Sequence, residues 1–293
     1  MKIFPEKIRY KDLKELLGKF YKRWEIEKKE EIDFLIKEIT QKDEVFFILN
    51  GEKHVDKDIL KKLELILLER KEKKPLPYIL GYSYFWKNKF LISENTLIPR
   101  KETEFLVEEA LSLVKVDGTI LELCSGSGAV IISIIDELKN GDVKGVGVDI
   151  SQDAVRIARK NARMLHLEDR VKFICGDLLK PIKKEFFKKV ILIVVNPPYI
   201  SKEEMERVNI ETRLYEPKLA LYGGEDGLDF YRTILNSLRR VGYLNPISFE
   251  VGYNQFEKVL KLGENYGFKV LNFRKDYLGY RRIITFRRKN GEI

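Results

Sequence analysis

At 293 residues with 44% hydrophobic side chains, the chain can bury a sizeable core and exceeds ordinary single-domain size, so a main domain with a smaller companion is expected. No run approaches the roughly 18–20 uninterrupted apolar residues a membrane helix needs, and Met1-Lys2-Ile3-Phe4-Pro5 lacks a signal peptide's apolar core, which predicts a cytosolic protein with no membrane partner. The net charge of +9 suits a polyanionic partner, but 34% charged residues of interleaved sign suit a solvated surface of ion-pair networks equally well, so charge names no partner.

From residue 10 to about residue 74, apolar residues recur at helical spacing, as in Leu13, Leu16, Leu17, Phe20 and again Ile59, Leu63, Ile66, Leu67. A small helical domain over 1–74 follows, with a turn at Asn50-Gly51 and an end at Pro75-Leu76-Pro77, where a linker is expected to begin. Within 75–95, Tyr84-Phe85-Trp86 and Phe90-Leu91-Ile92 flank Lys87-Asn88-Lys89, the pattern of two short strands joined by a turn. Segment 96–293 then alternates short apolar strands with helical stretches. Strands are expected at 120–123, 145–148 and 171–174, with helices from about Ala129 and Asp153. The run Val190-Ile191-Leu192-Ile193-Val194-Val195 is apolar throughout, as a central parallel strand covered on both faces must be. Two later strands, near 247–249 and 283–286, enclose a helix from about Asn254 to Tyr266. The expected class is α/β, a doubly wound, mostly parallel sheet.

The densest chemistry lies at predicted strand ends. Leu121-Glu122-Leu123-Cys124-Ser125-Gly126-Ser127-Gly128 runs from a strand into a glycine turn that opens a helix, and glycine lets the backbone approach a ligand closely. About twenty residues on, Asp149 ends the next strand, where a carboxylate can accept both hydroxyls of a ribose; Asp177 follows the strand after that. The third glycine of a dinucleotide fingerprint is missing, because that position is Ile131. A nucleoside without a pyrophosphate therefore fits better than a nicotinamide cofactor, and S-adenosylmethionine is such a ligand. Cys124 and Cys175 are far apart, so both are expected reduced, without disulfide or metal.

Directly after the all-apolar strand comes Asn196-Pro197-Pro198-Tyr199, at the sheet edge where ligands bind in such folds. An amide nitrogen is a poor nucleophile because its lone pair is delocalised into the carbonyl. The Asn196 side-chain oxygen and the Pro197 carbonyl would accept its two N–H bonds, and Tyr199 would pack on the planar group. Catalysis would rest on orientation and electrostatics.

These residues resemble the release-factor glutamine methyltransferases (the PrmC or HemK family). The likeness covers about Pro75 to Phe286 and is carried by Pro77-Tyr78-Ile79-Leu80-Gly81, Leu97-Ile98-Pro99-Arg100-Lys101-Glu102-Thr103-Glu104, the glycine turn, the Asn196–Tyr199 tetrad, and Tyr215-Glu216-Pro217 with Gly223-Gly224-Glu225-Asp226-Gly227-Leu228. The resemblance implies a seven-stranded, Rossmann-like methyltransferase domain. It implies that S-adenosylmethionine is the donor and S-adenosylhomocysteine the product. Cys124, Ser125, Gly126, Ser127 and Gly128 would line the methionine part, Asp149 the ribose, Asp177-Leu178 the adenine. Asn196, also beside the cofactor, would receive the target glutamine with Pro197, Pro198 and Tyr199. The implied target is the glutamine of the Gly-Gly-Gln loop of peptide-chain release factors, docked with help from the N-terminal helices. Glu122 and Cys124 depart from the family's usual aspartate and glycine, which puts the carboxylate's reach in question.

His54 and His166 carry no expected ligand or catalytic role, Phe85 and Trp86 are expected in the core although the resemblance implies that their hairpin lies near the active-site mouth, and Glu250-Val251-Gly252 is left outside the site as structural. The same tetrad serves adenine-N6 methylation of nucleic acid, so a nucleic-acid or ribosomal-protein-glutamine methyltransferase is the alternative, although no base-reading module accompanies it and no stable nucleic-acid partner is expected. A non-catalytic RNA- or ribosome-binding protein is a third reading. The chain is expected to act as a monomer.

Overall fold

The computed structural model describes residues 3–5, 7–139 and 142–288. Met1 and Lys2 of the signal-peptide argument, and residues 289–293 of the expected catalytic domain, lie outside the described residues. The chain forms two compact units, Met1–Leu80 and Gly81–Ile293.

In the first unit, helices Tyr10–Arg23, Glu30–Thr40 and Lys57–Lys71 bury Leu13, Leu17, Leu35, Leu63 and Leu67 completely, as their spacing requires, while a third helix in chain order, Glu44–Asn50, has no buried residue. Asp43 caps the third helix by accepting from Phe46 N–H at 2.8 Å. The fully buried Arg70 is held by Glu31 at 2.9 Å and by the Lys74 carbonyl at 3.0 Å. The expected linker does not begin at Pro75: residues Leu76–Leu80 form a short helix whose Leu76 is buried in the same unit's core. Prolines in a first helical turn lose no hydrogen bond, so Pro75 and Pro77 open this helix instead of ending the helical domain.

The second unit opens with the hairpin β1 (Tyr82–Phe85) and β2 (Asn88–Leu91), in which Phe85 pairs with Asn88. The turn is therefore Trp86-Lys87, where Lys87-Asn88-Lys89 is expected from the sequence. Trp86 sits at φ 54°, an unusual conformation for a bulky residue. Two acids hold it there: Glu104 accepts from its backbone N–H at 2.8 Å and Glu137 from its indole at 2.6 Å.

Seven further strands make one sheet: β3 (Gly118–Leu123), β4 (Val143–Asp149), β5 (Val171–Cys175), β6 (Val190–Val195), β7 (Ile247–Glu250), β8 (Phe268–Lys275) and β9 (Arg281–Arg288). Their order is β5-β4-β3-β6-β7-β9-β8, parallel through β7 and antiparallel at β9 and β8. This is the expected doubly wound, mostly parallel, seven-stranded sheet. Helices Glu104–Leu113, Ala129–Glu137 and Gln152–Met164 pack one core, and Asp229–Val241 with Phe256–Asn265 pack the other. The chain leaves β3 toward β4 and β5, then crosses back to β6 on the other side of β3. That reversal opens a crevice at the carboxyl ends of β3 and β6, where ligands bind in doubly wound sheets. Among the described residues no helix is long and apolar enough to cross a membrane.

Candidate active site

Parallel registry brings the chemistry-bearing residues to one edge. Leu123 pairs with Val148 and Val195, and Val195 with Phe249, so Cys124, Asp149, Asn196 and Glu250 each stand at or just past a strand's carboxyl end. A cavity of about 340 Å³ opens there, lined by Glu122, Cys124, Ser125, Gly126, Ser127, Asp149, Asp177, Leu178, Asn196 and Pro198, with Phe85 at its wall. A second cavity of about 220 Å³ is lined by Asn196, Pro197, Tyr199, Val208, Asn209 and Thr212. Leu97, Arg100, Asn196 and Ala220 line both. Asn196 thus stands between two chambers.

Of the residues expected at the cofactor, Gly128 alone lines neither cavity. Its φ is +77° and a Cβ there would meet the Phe173 ring at 2.6 Å, so this glycine serves the close packing of a helix on β5. Gly126, at φ +51°, lines the first cavity and has open space where a Cβ would stand. Cys124 and Leu178 line the same cavity at φ 58° and 48°, left-handed conformations that cost an ordinary residue about 1–2 kcal/mol. The Cys124 departure therefore puts a side chain where glycine would sit unstrained. Burial, with Asp149 and Glu122 nearby, raises the Cys124 thiol well above its usual pKa and keeps it protonated.

Three carboxylates face the first cavity. Asp149 Oδ2 accepts from Gly126 N–H at 2.7 Å and Oδ1 from Ser151 N–H at 2.9 Å, which fixes the carboxylate against the glycine turn. Burial raises its pKa while those two N–H groups pull it down. Glu122 is buried and accepts from Ile131 N–H at 3.2 Å; burial lifts its pKa well above the ordinary value, and Asp149 adds to the rise. Asp177 pairs with Lys180 at 2.6 Å. The buried Ser125 hydroxyl has no hydrogen-bond partner among the described residues. Acids around a pocket with a free hydroxyl suit a ligand carrying positive charge and a diol, and S-adenosylmethionine has a sulfonium, an ammonium and a ribose. They do not suit a pyrophosphate.

The walls shared by the two chambers are braced. Glu216, buried, receives the Arg100 guanidinium, the Thr212 hydroxyl at 2.9 Å and Ile98 N–H at 3.4 Å, tying segment 97–100 to the helix Ile210–Tyr215. The Tyr199 carbonyl accepts from Gln255 at 2.7 Å. Its hydroxyl lies 3.5 Å from Glu250 Oε1 and 3.4 Å from Arg282, and burial beside Glu250 pushes its pKa up to about 12. The ring is thereby fixed, protonated, on the wall of the second chamber. Asn196 Nδ2 donates to the Thr103 hydroxyl at 3.2 Å, leaving its oxygen as the free acceptor.

Sequence reasoning missed Thr103, Arg100, Glu216 and Glu250 as site residues. Arg100, Thr103 and Glu216 lie inside segments already singled out, but only tertiary contact shows what they touch. Glu250, set aside as structural, stands one residue past the Val195–Phe249 pair and so beside Asn196. Phe85 reaches the first cavity, whereas Trp86, His54 and His166 line neither. His166 instead follows the helix Gln152–Met164 in a left-handed conformation. Both cysteines are free.

Residues 115–264 match a family model described as a methyltransferase domain, and residues 25–81 match one described as a PrmC N-terminal domain. A protein named release factor glutamine methyltransferase from Clostridium acetobutylicum is 37% identical over 94% of this chain and 94% of its own length. One of the same name from Fusobacterium nucleatum is 41% identical over 75% of this chain, and the match spans 62% of that relative. Among solved structures, the hMettl16 catalytic domain in complex with the MAT2A 3'UTR hairpin 6 superposes with a TM-score of 0.55 at 13% identity, over 87% of this chain and 93% of that one, a likeness of fold.

Proposed function

The chain belongs to the release factor glutamine methyltransferase family, and from that premise we propose that it methylates the side-chain amide nitrogen (N5) of the glutamine in the Gly-Gly-Gln loop of a peptide-chain release factor. The observation that carries this reading is the pair of chambers meeting at Asn196. One is acidic and suits a cationic nucleoside. The other is edged by Pro197 and Tyr199 and suits a small planar group.

S-adenosylmethionine in the first chamber would supply an electrophilic methyl group on a sulfonium. Asp149, held by two backbone N–H groups, would present its remaining lone pairs to the ribose diol. Ser125 to Ser127 and Glu122, which line that chamber, would face the methionine end, and Asp177 with Leu178 the adenine. On the other side, Asn196 Oδ1 and the Pro197 carbonyl accept the two amide N–H bonds of the glutamine, while Tyr199 packs on its plane. Holding both protons in this way fixes the amide plane so that a face of the nitrogen, which carries the lone pair, is turned toward the first chamber. As the N–C bond forms, the sulfonium's C–S bond would break to leave a neutral thioether, and one of the two N–H protons is lost to water. Walls braced by Glu216 keep that aim with little freedom to lose, and orientation alone is worth several powers of ten in rate. The setting is cytoplasmic, where release factors act, and the helical unit is assigned to docking that partner.

The test is transfer of labelled methyl from S-adenosylmethionine to a purified release factor, beside the same factor with the loop Gln→Ala change and a nucleic-acid control. Label on the intact factor alone supports the reading. Label on nucleic acid or a ribosomal protein instead keeps the chemistry and overturns the partner.

A further inference from the structure

The Pro197 carbonyl and the Tyr199 ring can receive a planar amide only if the main chain that carries them is held still, and both prolines lack the N–H by which a backbone is ordinarily tied down. The tie comes from behind. Gln255, 3% exposed at the cap of the helix Phe256–Asn265, donates from Nε2 to the Tyr199 carbonyl at 2.7 Å and to the Gly227 carbonyl at 3.5 Å, and its Oε1 accepts from Gly252 N–H at 3.1 Å. All three partners are main-chain groups of fixed polarity, two that only accept and one that only donates. The glutamine amide therefore has one orientation, NH2 toward Tyr199 and oxygen toward Gly252. The turn Gly223–Gly227 bears on the same spot. A Cβ at Gly223 would meet the Pro198 carbonyl at 2.6 Å and Tyr199 Cα at 2.8 Å, and one at Gly227 would collide with the Tyr199 carbonyl and stand 2.6 Å from Gln255 Nε2. Gly223 N–H donates to the Ile200 carbonyl and Ile200 N–H to the Leu221 carbonyl, both at 2.9 Å. Having no side chains there, the turn lies directly against the backbone of the tetrad, and Gln255 joins the two.

We infer that Gln255 is a positioning residue for the methyl-transfer step: by pinning the Tyr199 carbonyl beside the Gly223–Gly227 turn, it holds Pro197 and Tyr199 where they receive the acceptor. The role rests on the proposed chemistry at the second chamber. It is independent of which macromolecule carries the nitrogen. Gln255, the Gly223–Gly227 turn and Glu250-Val251-Gly252 line neither chamber, so all three act through the tetrad's main chain.

Two measurements test it. The first requires no acceptor: backbone NMR relaxation should show added motion at the Tyr199 and Ile200 amides in Gln255→Met, which removes the donor at similar length, while the Ser125, Gly126 and Ser127 amides keep wild-type values. Unchanged relaxation at Tyr199 and Ile200 overturns the clamp whatever the substrate. The second is kinetic, in single turnovers on a release factor at saturating S-adenosylmethionine. Gln255→Met should slow transfer roughly 10–100-fold, the span of a lost supporting contact, with the cofactor's Kd unchanged; a wild-type rate would overturn the role. Gln255→Glu separates positioning from folding, because a neutral carboxyl can still donate to the Tyr199 carbonyl while accepting from Gly252, and a carboxylate can only accept. Relative to wild type at the same pH, its rate should be nearly normal while the new carboxyl is protonated and fall toward the Gln255→Met value as that carboxyl ionises, followed by its carbon NMR shift, with the protein still folded and binding cofactor. A relative rate that ignores this ionisation, or a parallel fall in cofactor binding, would mean that Gln255 only supports the fold. Absence of wild-type transfer to a release factor, with the relaxation contrast intact, would instead count against the proposed substrate.

Discussion

Gly126 and Gly128 lie two residues apart in one turn, yet alanine at each should fail in a different way. At Gly128 the φ of +77° strains an L side chain, and the new methyl would stand 2.6 and 2.9 Å from Phe173 ring atoms and 3.2 Å from Ala158 Cβ. Left-handed strain and overpacking in a packed core together cost about 2–5 kcal/mol. At Gly126 the φ is +51° but nothing lies within 4 Å, so only the strain of about 1–2 kcal/mol remains. Gly126 lines the first cavity, and its added methyl would intrude on a ligand there. Urea unfolding should therefore show a large loss for Gly128→Ala and a small one for Gly126→Ala. Calorimetric titration with S-adenosylmethionine should show the reverse order, about tenfold weaker binding for Gly126→Ala, a change of about 1.4 kcal/mol. A Gly128→Ala protein destabilised by less than about 1 kcal/mol, or one whose cofactor affinity falls more than that of Gly126→Ala, would refute this division of roles.

Asn196→Ala should cut turnover roughly 100–1000-fold, the loss typical of one oriented group acting on the transition state, and leave the cofactor's Kd nearly unchanged, as steady-state kinetics beside calorimetry would show. Asp149→Ala deletes the acceptor of two backbone N–H groups and the proposed acceptor of the ribose; cofactor binding should weaken by about 1.5–3 kcal/mol, with kcat at saturating cofactor much less affected. Turnover should also fall toward acid pH. Burial raises the Glu250 carboxyl pKa, with Glu102 adding to the rise, while Arg282, Thr103 and Tyr199 oppose it; the Tyr231 hydroxyl bonds the Glu250 carbonyl at 2.9 Å. As pH drops through that raised value the carboxyl gains a proton, and its charge no longer pairs with Arg282 beside the Tyr199 hydroxyl. The same proton is bound more tightly folded than unfolded, so this group's contribution to stability is fully present at low pH and declines as pH rises. An acid limb in kcat without a matching loss of folding stability, flattened in Glu250→Gln, is the expected profile; stability and rate falling together would contradict it.

Much of the core layout was legible because it follows from periodicity. The all-apolar Val190–Val195 run could only be a central strand, and Asp149 and Asn196 sit at strand ends because carboxyl-edge loops are where a parallel sheet leaves its side chains free. What escaped were features decided across space. The edge strand β8 mixes exposed Leu271 and Phe273 with Asn272 and Arg274, and so shows no clean alternation. Trp86 makes a turn against its own preference because Glu104 and Glu137 hold it. Glu250 looked structural from its strand, and only the β6–β7 registry puts it beside Asn196. The second glycine of the turn shows the opposite limit: a motif position reads as ligand contact, while Phe173 shows that Gly128 is there for packing.

On the proposed function, the methyl group lands on an amide nitrogen held at Asn196 between the two chambers. Fragment-ion mass spectrometry of a release factor incubated with S-adenosylmethionine and either wild-type or Asn196→Ala protein tests it most directly. The account predicts one added methyl, on the side-chain amide of the Gly-Gly-Gln glutamine, abundant with wild type and nearly absent with the variant. A methyl group on any other residue, or equal modification by the two proteins, would contradict it.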